Sequence, residues 1–185
     1  MSSPKTRAFV GLGANLGNPA AQLAAALDSL DAAGVLWAVS GVYRSAPVGP
    51  PQPRFWNLAA ELLVADSPYE LLARCQALEA TARRQRWQRW GPRTLDVDVL
   101  FFGDVVMSDP ELEIPHPRLR ERRFVLEPLA ELAPELVTAG ELAAVADQDC
   151  ERVGDAAMLR QLAAEHCSGA ERLTPRGRLE HRRAR

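Results

Sequence analysis

The sequence predicts an α+β fold built on a mostly antiparallel sheet, and three features of its pattern support this prediction. Four strand-like apolar segments lie at 8–12, 35–43, 55–64 and 95–102. A helical pattern separates the first strand from the second, and another separates the third from the fourth. The second and third strands are joined instead by a proline-rich loop at 45–54. The order βαββαβ is typical of ferredoxin-like sandwiches, whereas a doubly wound parallel sheet would need a helix at that loop.

Both predicted helices begin at a capping signal. Asn18 precedes a proline at the start of the first helix, which Gly34 ends. Ser67 and Glu70 form a capping box at the start of the second helix, with a proline between them. Each helix then carries apolar residues at spacings of three and four, which predicts that it packs against the sheet.

The strand at 95–102 carries the most informative pattern. Strict alternation places Asp96 and Asp98 on one face and Phe101 on the opposite face. A following glycine turn is expected to fold 105–107 back as a hairpin. The rest of the chain predicts short helical pieces and a C-terminal helical extension.

The composition is that of a globular protein, with 185 residues of which 47% are hydrophobic and 25% charged. We expect one domain over 1–167 and a basic tail at 168–185 that is disordered, binds a partner or docks as a helix. No apolar run approaches the ~20 residues of a membrane helix, so no membrane partner is expected. Three widely spaced cysteines form neither a disulfide framework nor a zinc pattern, which predicts a reducing cytoplasm.

Arginine is concentrated in two short segments of a chain whose net charge is −2. Residues 80–95 contain five arginines and no acid, and 118–123 contain four arginines against Glu121. The region 127–165 reverses this balance, with nine acids against two arginines. The low net charge argues against a nucleic-acid coat, whereas the local basic clusters indicate one polyanionic ligand.

Asp96 and Asp98 are the candidate metal ligands. Carboxylates two residues apart on a strand point the same way, and their mutual repulsion must be compensated. Mg²⁺ commonly binds one or two carboxylates together with substrate phosphates. The flanking arginines favour this interpretation over a solvated strand face. An RNA-recognition module would instead carry an aromatic pattern that begins Lys/Arg-Gly-Phe/Tyr, and the sequence has none.

Two further features are less specific. The glycine cluster at 11–17 has the spacing GxGxxxG, one residue too long for a dinucleotide fingerprint, and it lacks the lysine of a P-loop. We therefore interpret it as a strand-to-helix turn that needs positive φ angles. His116 lies between two prolines beside the second arginine cluster, which disfavours its protonation. Its side chain is either structural or in contact with phosphate.

Four motifs together resemble the 6-hydroxymethyl-7,8-dihydropterin pyrophosphokinase family of folate biosynthesis. The most specific is RWGPRTLDVD at 89–98, and the others are YRSAPVGP at 43–50, FWN at 55–57 and IPHPR at 114–118. The resemblance covers residues from about 9 to 137. Serine at position 45 and phenylalanine at 55 stand where many relatives have threonine and tyrosine.

The resemblance implies a monomer that transfers pyrophosphate from ATP to the pterin hydroxymethyl group, with AMP released and two Mg²⁺ ions bound by Asp96 and Asp98. The implied catalytic residues are Arg84, Arg93, Asp96 and Asp98. The implied ATP-binding residues are Gln76, Glu79, Arg84, Arg86, Arg89, Trp90, Arg93 and His116. The implied pterin-binding residues are Ser45, Ala46, Val48, Phe55, Asn57, Arg122 and Phe124.

Two other functions remain open on the residues alone. The arginine clusters would also suit a ferredoxin-like nucleic-acid-binding module, which would bind RNA in a salt-dependent manner without Mg²⁺. The aspartate pair would also suit a Mg²⁺-dependent phosphotransferase that acts on another heterocycle.

Overall fold

A six-stranded antiparallel sheet forms the centre of the molecule in the computed structural model, which describes residues 4–82 and 91–170, with side chains up to 166. The strands in chain order are β1 (Thr6–Ala14), β2 (Leu36–Val39), β3 (Val42–Ser45), β4 (Phe55–Val64), β5 (Asp96–Phe102), β6 (Met107–Ser108), β7 (Glu113–Ile114) and β8 (Cys150–Gly154). The main sheet has the order β5-β1-β4-β3-β8, and β2 also pairs with β4. Every pairing is antiparallel, which confirms the predicted α+β class.

Helices cover both faces of this sheet. They are α1 (Pro19–Ala32), α2 (Pro68–Thr81), α3 (Arg123–Leu132), α4 (Ala139–Ala144) and α5 (Ala156–Ala170), with 3₁₀ turns at Leu119–Glu121 and Pro134–Leu136. Side chains of α1, α2 and α5 pack into one core with β1 and β4. Leu126 and Leu129 of α3 pack on the other face against Phe9 and Phe101. No helix within the described residues is long and apolar enough to span a membrane.

The predicted helix starts are confirmed. The Asn18 side chain accepts a hydrogen bond from the Ala21 N–H (3.1 Å). Ser67 and Glu70 form the reciprocal hydrogen bonds of a capping box. These local bonds satisfy backbone groups that a helix end leaves unpaired, which is why the boundaries were readable from sequence.

The second predicted strand is interrupted, because 35–43 forms parts of β2 and β3 rather than one strand. The break lies at Ser40 and Gly41, where the Ser40 hydroxyl accepts the Ala59 N–H (2.9 Å). The Gly41 N–H donates to the Glu131 carboxylate (2.7 Å) of α3. Both strands still pair with β4, so the interruption leaves the strand order unchanged.

Two predictions around β5 were wrong. Phe101 lies on the same face of the sheet as Asp98 rather than on the opposite face, because the pairing of β1 with β5 contains a bulge. Val10 opposes Val99 and Phe9 opposes Phe101, so Leu100 is the extra residue and the alternation shifts after it. Residues 105–107 do not pair back onto β5 either; Met107 and Ser108 of β6 pair with β7.

Candidate active site

A cavity of about 730 Å³ opens above the strands β1, β4 and β5, between α2 and the start of α3. Its lining includes every predicted site residue that the structure describes: Ser45, Ala46, Val48, Phe55, Asn57, Gln76, Glu79, Arg93, Asp96, Asp98, His116, Arg122 and Phe124. The remaining predicted residues, Arg84, Arg86, Arg89 and Trp90, lie outside the described residues. Residues that are far apart in sequence therefore converge on one cleft, as the motifs predict.

Asp96 and Asp98 lie on the cleft side of β5. Burial raises the pKa of Asp98, and the neighbouring charge of Asp96 raises that pKa further. The side chain of Asp98 keeps 43% of its surface exposed, so it faces an open cleft rather than a sealed core. Among the described residues, no group of three or more acidic, histidine or cysteine side chains could hold a metal ion. A cation bound at the aspartate pair would therefore have coordination positions left for water or a substrate.

Arg93 joins this pair to the glycine-rich end of β1. Its guanidinium forms an ion pair with Asp96. Its backbone N–H donates to Asn15 Oδ1 (2.8 Å), and its carbonyl accepts the backbone N–H groups of Asn15 (3.0 Å) and Leu16 (3.1 Å). The Arg93 backbone is therefore anchored independently of its side chain.

Glu79 is a buried acid, 7% exposed, on the helix that faces β5. Its carboxylate accepts the backbone N–H of Val97 (3.0 Å), the residue between the two aspartates. This hydrogen bond ties α2 to the strand segment that carries Asp96 and Asp98. Gln76, one turn earlier on α2, is exposed and lines the same cleft.

His116 lies beside β5, where its backbone N–H donates to the Leu100 carbonyl (3.0 Å) and its Nε2 lies 3.8 Å from Asp98 Oδ2. Burial lowers its pKa, as do Arg122 and Arg118, while Asp98 opposes them. The direction of this pKa shift agrees with the sequence prediction, but its largest cause is burial rather than the neighbouring arginines. Because Nδ1 accepts the Arg118 N–H (3.2 Å), the neutral ring carries its proton on Nε2.

The other half of the cleft is lined by two aromatic rings and edged by an amide. Asn57 is 5% exposed, and its Nδ2 donates to the hydroxyl of Ser45 (3.0 Å) on the neighbouring strand. Phe55 and Phe124 line the cavity from β4 and α3. The guanidinium of Arg122 lies 5.7 Å from the centroid of the Phe124 ring.

Sequence reasoning missed the glycines that form the floor of the cleft. Gly11 and Gly13 are strand residues that line the cavity, whereas in the glycine cluster at 11–17 only Gly17 has a positive φ (69°). Gly13 pairs with Asn57, and a Cβ there would lie 3.0 Å from Asn57 Oδ1. The role of these glycines follows from the pairing register of β1 with β4, and that register cannot be read from the sequence of β1 alone.

The family model that describes 7,8-dihydro-6-hydroxymethylpterin-pyrophosphokinase (HPPK) matches residues 9–134. The chain belongs to this family. A relative from Pseudomonas aeruginosa, named 2-amino-4-hydroxy-6-hydroxymethyldihydropteridine pyrophosphokinase, is 47% identical over 133 residues, which cover 70% of this chain and 82% of the relative. A relative of the same name from Methylorubrum extorquens is 45% identical and covers 74% of this chain and 88% of its own length.

A solved structure agrees with this assignment at the level of the fold. A triple mutant of Plasmodium falciparum HPPK-DHPS superimposes with a TM-score of 0.57 at 14% identity. The match covers 92% of this chain but only 45% of that protein, so this chain spans less than half of its length. Membership of the HPPK family favours a pyrophosphokinase over the nucleic-acid-binding alternative.

Proposed function

We propose that the cleft transfers pyrophosphate from ATP to the hydroxymethyl group of 6-hydroxymethyl-7,8-dihydropterin, releasing AMP in folate biosynthesis. One observation carries the proposal: a carboxylate and arginine cluster adjoins an aromatic pocket with a buried amide in a single cavity. The first half suits a metal-bound triphosphate, and the second suits a flat heterocycle with a polar edge.

In this proposal the nucleotide occupies the half of the cleft that contains the aspartates, with ATP as co-substrate. Asp96 and Asp98 would hold two Mg²⁺ ions, which when bound neutralise phosphate charge. The fit rests on the donor set, because two carboxylates on one side of β5 line the cleft and carboxylate oxygens are ligands that Mg²⁺ prefers. The ATP-binding set would be Gln76, Glu79, Arg84, Arg86, Arg89, Trp90, Arg93 and His116.

The pterin occupies the aromatic half. Phe55 and Phe124 would sandwich the ring, and the amide of Asn57 would both donate to and accept from its amino-oxo edge. The other lining residues would be Ser45, Ala46, Val48 and Arg122. The substrate hydroxyl would then lie toward Asp98, where the two halves of the cleft meet.

The reaction requires positioning more than acid–base chemistry. The hydroxymethyl oxygen bonds to the β-phosphorus and its proton is released to solvent, while the bond from that phosphorus to the α,β-bridging oxygen breaks and AMP leaves. Arg93 and the arginines at 84, 86 and 89 would stabilise the charge that develops on the transferred group. Glu79 would hold β5 in register for this step through the Val97 N–H.

Replacing Asn57 by alanine is expected to weaken pterin binding by about 1–3 kcal/mol, because the pterin edge would lose a paired partner in a buried pocket. ATP affinity should change little, since the Asn57 amide is hydrogen-bonded to Ser45 at the aromatic half of the cleft. Calorimetric titration of each ligand into the variant measures both effects. An equal loss of ATP affinity would mean that the pocket is placed on the wrong side of the aspartates.

The nucleotide product tests the proposed function. The protein, ATP, Mg²⁺ and 6-hydroxymethyl-7,8-dihydropterin should yield AMP and the pterin pyrophosphate in equal amounts. ADP as the product, or AMP formed at the same rate without the pterin, would contradict the proposal. Guanine and other bicyclic heterocycles should not replace the pterin, which separates this function from a phosphotransferase of another specificity.

The remaining assignments are also proposals. The strand order β5-β1-β4-β3 and the helix after each of β1 and β4 support placing the fold in the ferredoxin-like class. We assign one domain to 1–167, acting as a cytoplasmic monomer, with the tail at 168–185 outside the reaction. Helix α5 continues to Ala170, and residues 171–185 lie outside the described part of the chain.

A further inference from the structure

Residue Asp149, which precedes β8, binds both ends of the proline-rich loop. Its backbone carbonyl accepts the N–H of Ala46 (3.2 Å), at the start of the loop. Its two carboxylate oxygens accept hydrogen bonds from Arg54 (2.7 and 2.8 Å), at the end of the loop. Such a bidentate pair fixes direction as well as distance. Ser45 ends β3 immediately before Ala46, and Phe55 begins β4 immediately after Arg54. Asp149 therefore holds both strand ends that face the aromatic half of the cleft.

The preceding residue, Gln148, binds the opposite wall. Its Oε1 accepts the backbone N–H of Arg123 (2.9 Å), and its Nε2 donates to the carbonyl of Glu121 (2.8 Å). The Arg123 guanidinium returns hydrogen bonds to the carbonyls of Ala146 and Gln148, both 3.0 Å. The two bonds of the Gln148 side chain lie on either side of Arg122, at Glu121 and Arg123, just before Phe124.

Residues 146–149, which we call the brace, therefore contact both walls of the aromatic half. Neither Gln148 nor Asp149 lines the main cleft; both line an adjoining cavity of about 410 Å³. The two cavities share the lining residues Ser45, Ala46, Val48, Arg118, Arg122 and Phe124. The strand that follows the brace pairs with β3, where Cys150 opposes Ser45. The brace also lies beyond residues 9–134, the part that matches the family model.

We propose that the brace sets the separation of the two pterin-binding walls, so that Gln148 and Asp149 are positioning residues for the pterin. This inference rests on the proposed function, since it assumes that the aromatic half binds that substrate. The brace holds backbone segments whose side chains bind the ligand, and small displacements of such groups lower productive binding strongly. Its hydrogen bonds go to the proline-rich loop and to residues 121–123, on the aromatic side of the cleft, so nucleotide binding should depend on it little.

Single variants Asp149→Ala and Arg54→Ala test one side of the brace, and Gln148→Ala tests the other. Each is expected to raise KM for the pterin by about five- to tenfold, with KM for ATP within about twofold of the original. The double variant of Asp149 and Arg54 should be no more impaired than the Arg54 variant alone, because both substitutions remove the same ion pair. The Arg54 variant also loses a hydrogen bond to the Arg44 carbonyl (3.4 Å) and an ion pair with Glu151 (3.7 Å). Asp28→Ala is the matched control, since Asp28 also accepts two hydrogen bonds from one arginine, Arg160, at an exposed site away from the cleft.

Amide hydrogen exchange provides a readout that does not require turnover. Exchange within 46–54 should quicken by about tenfold or more in Asp149→Ala, and exchange within 121–124 should do so in Gln148→Ala. Asp28→Ala should change neither segment. The proposed role of the brace would be contradicted by unchanged exchange or by an unchanged KM for the pterin. Equal increases in the KM for the pterin and the KM for ATP would also contradict it. Failure of the unaltered protein to form AMP would instead overturn the proposed function, and the exchange data would still decide whether the brace exists.

Discussion

Replacing Asp98 by asparagine is expected to reduce turnover by about 10³-fold or more, comparable with the loss of other groups that stabilise a transferring phosphoryl group. Asp96→Asn should have a similar effect. Asparagine has nearly the same shape but carries no charge, so the cation that neutralises the triphosphate would be held far less tightly. Steady-state rates of AMP formation at saturating ATP and Mg²⁺ measure the loss. Near-normal turnover in either variant would show that the pair does not bind the metal.

Thermal melting separates this effect from damage to the fold. Without Mg²⁺, Asp98→Asn should melt no lower than the original protein, because the charge of Asp98 is disfavoured by burial and by Asp96. Asp96→Asn removes the ion pair with Arg93 and should cost a small amount of stability, up to about 1 kcal/mol. Asp104→Asn, in the exposed turn after β5, is the control and should leave both turnover and melting unchanged.

Replacing Arg93 by alanine is the second large effect we expect, a loss of about 10²- to 10³-fold in kcat with less than about a tenfold loss of ATP affinity. The guanidinium faces the aspartate pair, where charge shifts during transfer, so it should act mainly in the transition state. The Arg93 backbone should stay in place, because Asn15 binds only its N–H and carbonyl.

Lysine at this position should restore only part of the activity, since its single ammonium group cannot reproduce the guanidinium fork. Arg74→Ala is the matched control. Arg74, which lies on α2, forms a half-buried ion pair with Asp66 but does not line the cleft. A variant of Arg93 that loses ATP affinity and keeps its kcat would contradict the assigned role.

Local signals explain which parts of the fold could be predicted. The caps at Asn18 and Ser67 act through bonds between neighbours in sequence, so their residue types reveal them. The strand Phe55–Val64 was predicted with its observed bounds, because apolar residues fill it and turn residues flank it. The aspartates of β5 could be singled out as candidate metal ligands, because two carboxylates on one strand face repel each other unless a cation compensates their charge.

The features that could not be predicted depend on contacts between distant segments. The bulge at Leu100 appears only when β5 pairs with β1. The floor glycines acquire their role from the pairing of Gly13 with Asn57. The strand β8 is weakly apolar, and it forms because β3 offers it an open edge. The sequence also does not reveal that Glu79 is buried, because its partner, the backbone N–H of Val97, lies on a different element.

We propose that a single cleft binds the metal and nucleotide in one half and the pterin in the other, and that the two halves meet at Asp98. Calorimetric titration of the pterin, with and without Mg²⁺ and a non-hydrolysable ATP analogue, tests it most directly. We expect tight pterin binding only when both are present, because the metals at the aspartate pair need the triphosphate to complete their ligand shells, and Asp98→Asn should abolish this enhancement. Equally tight pterin binding with and without the nucleotide would contradict the claim.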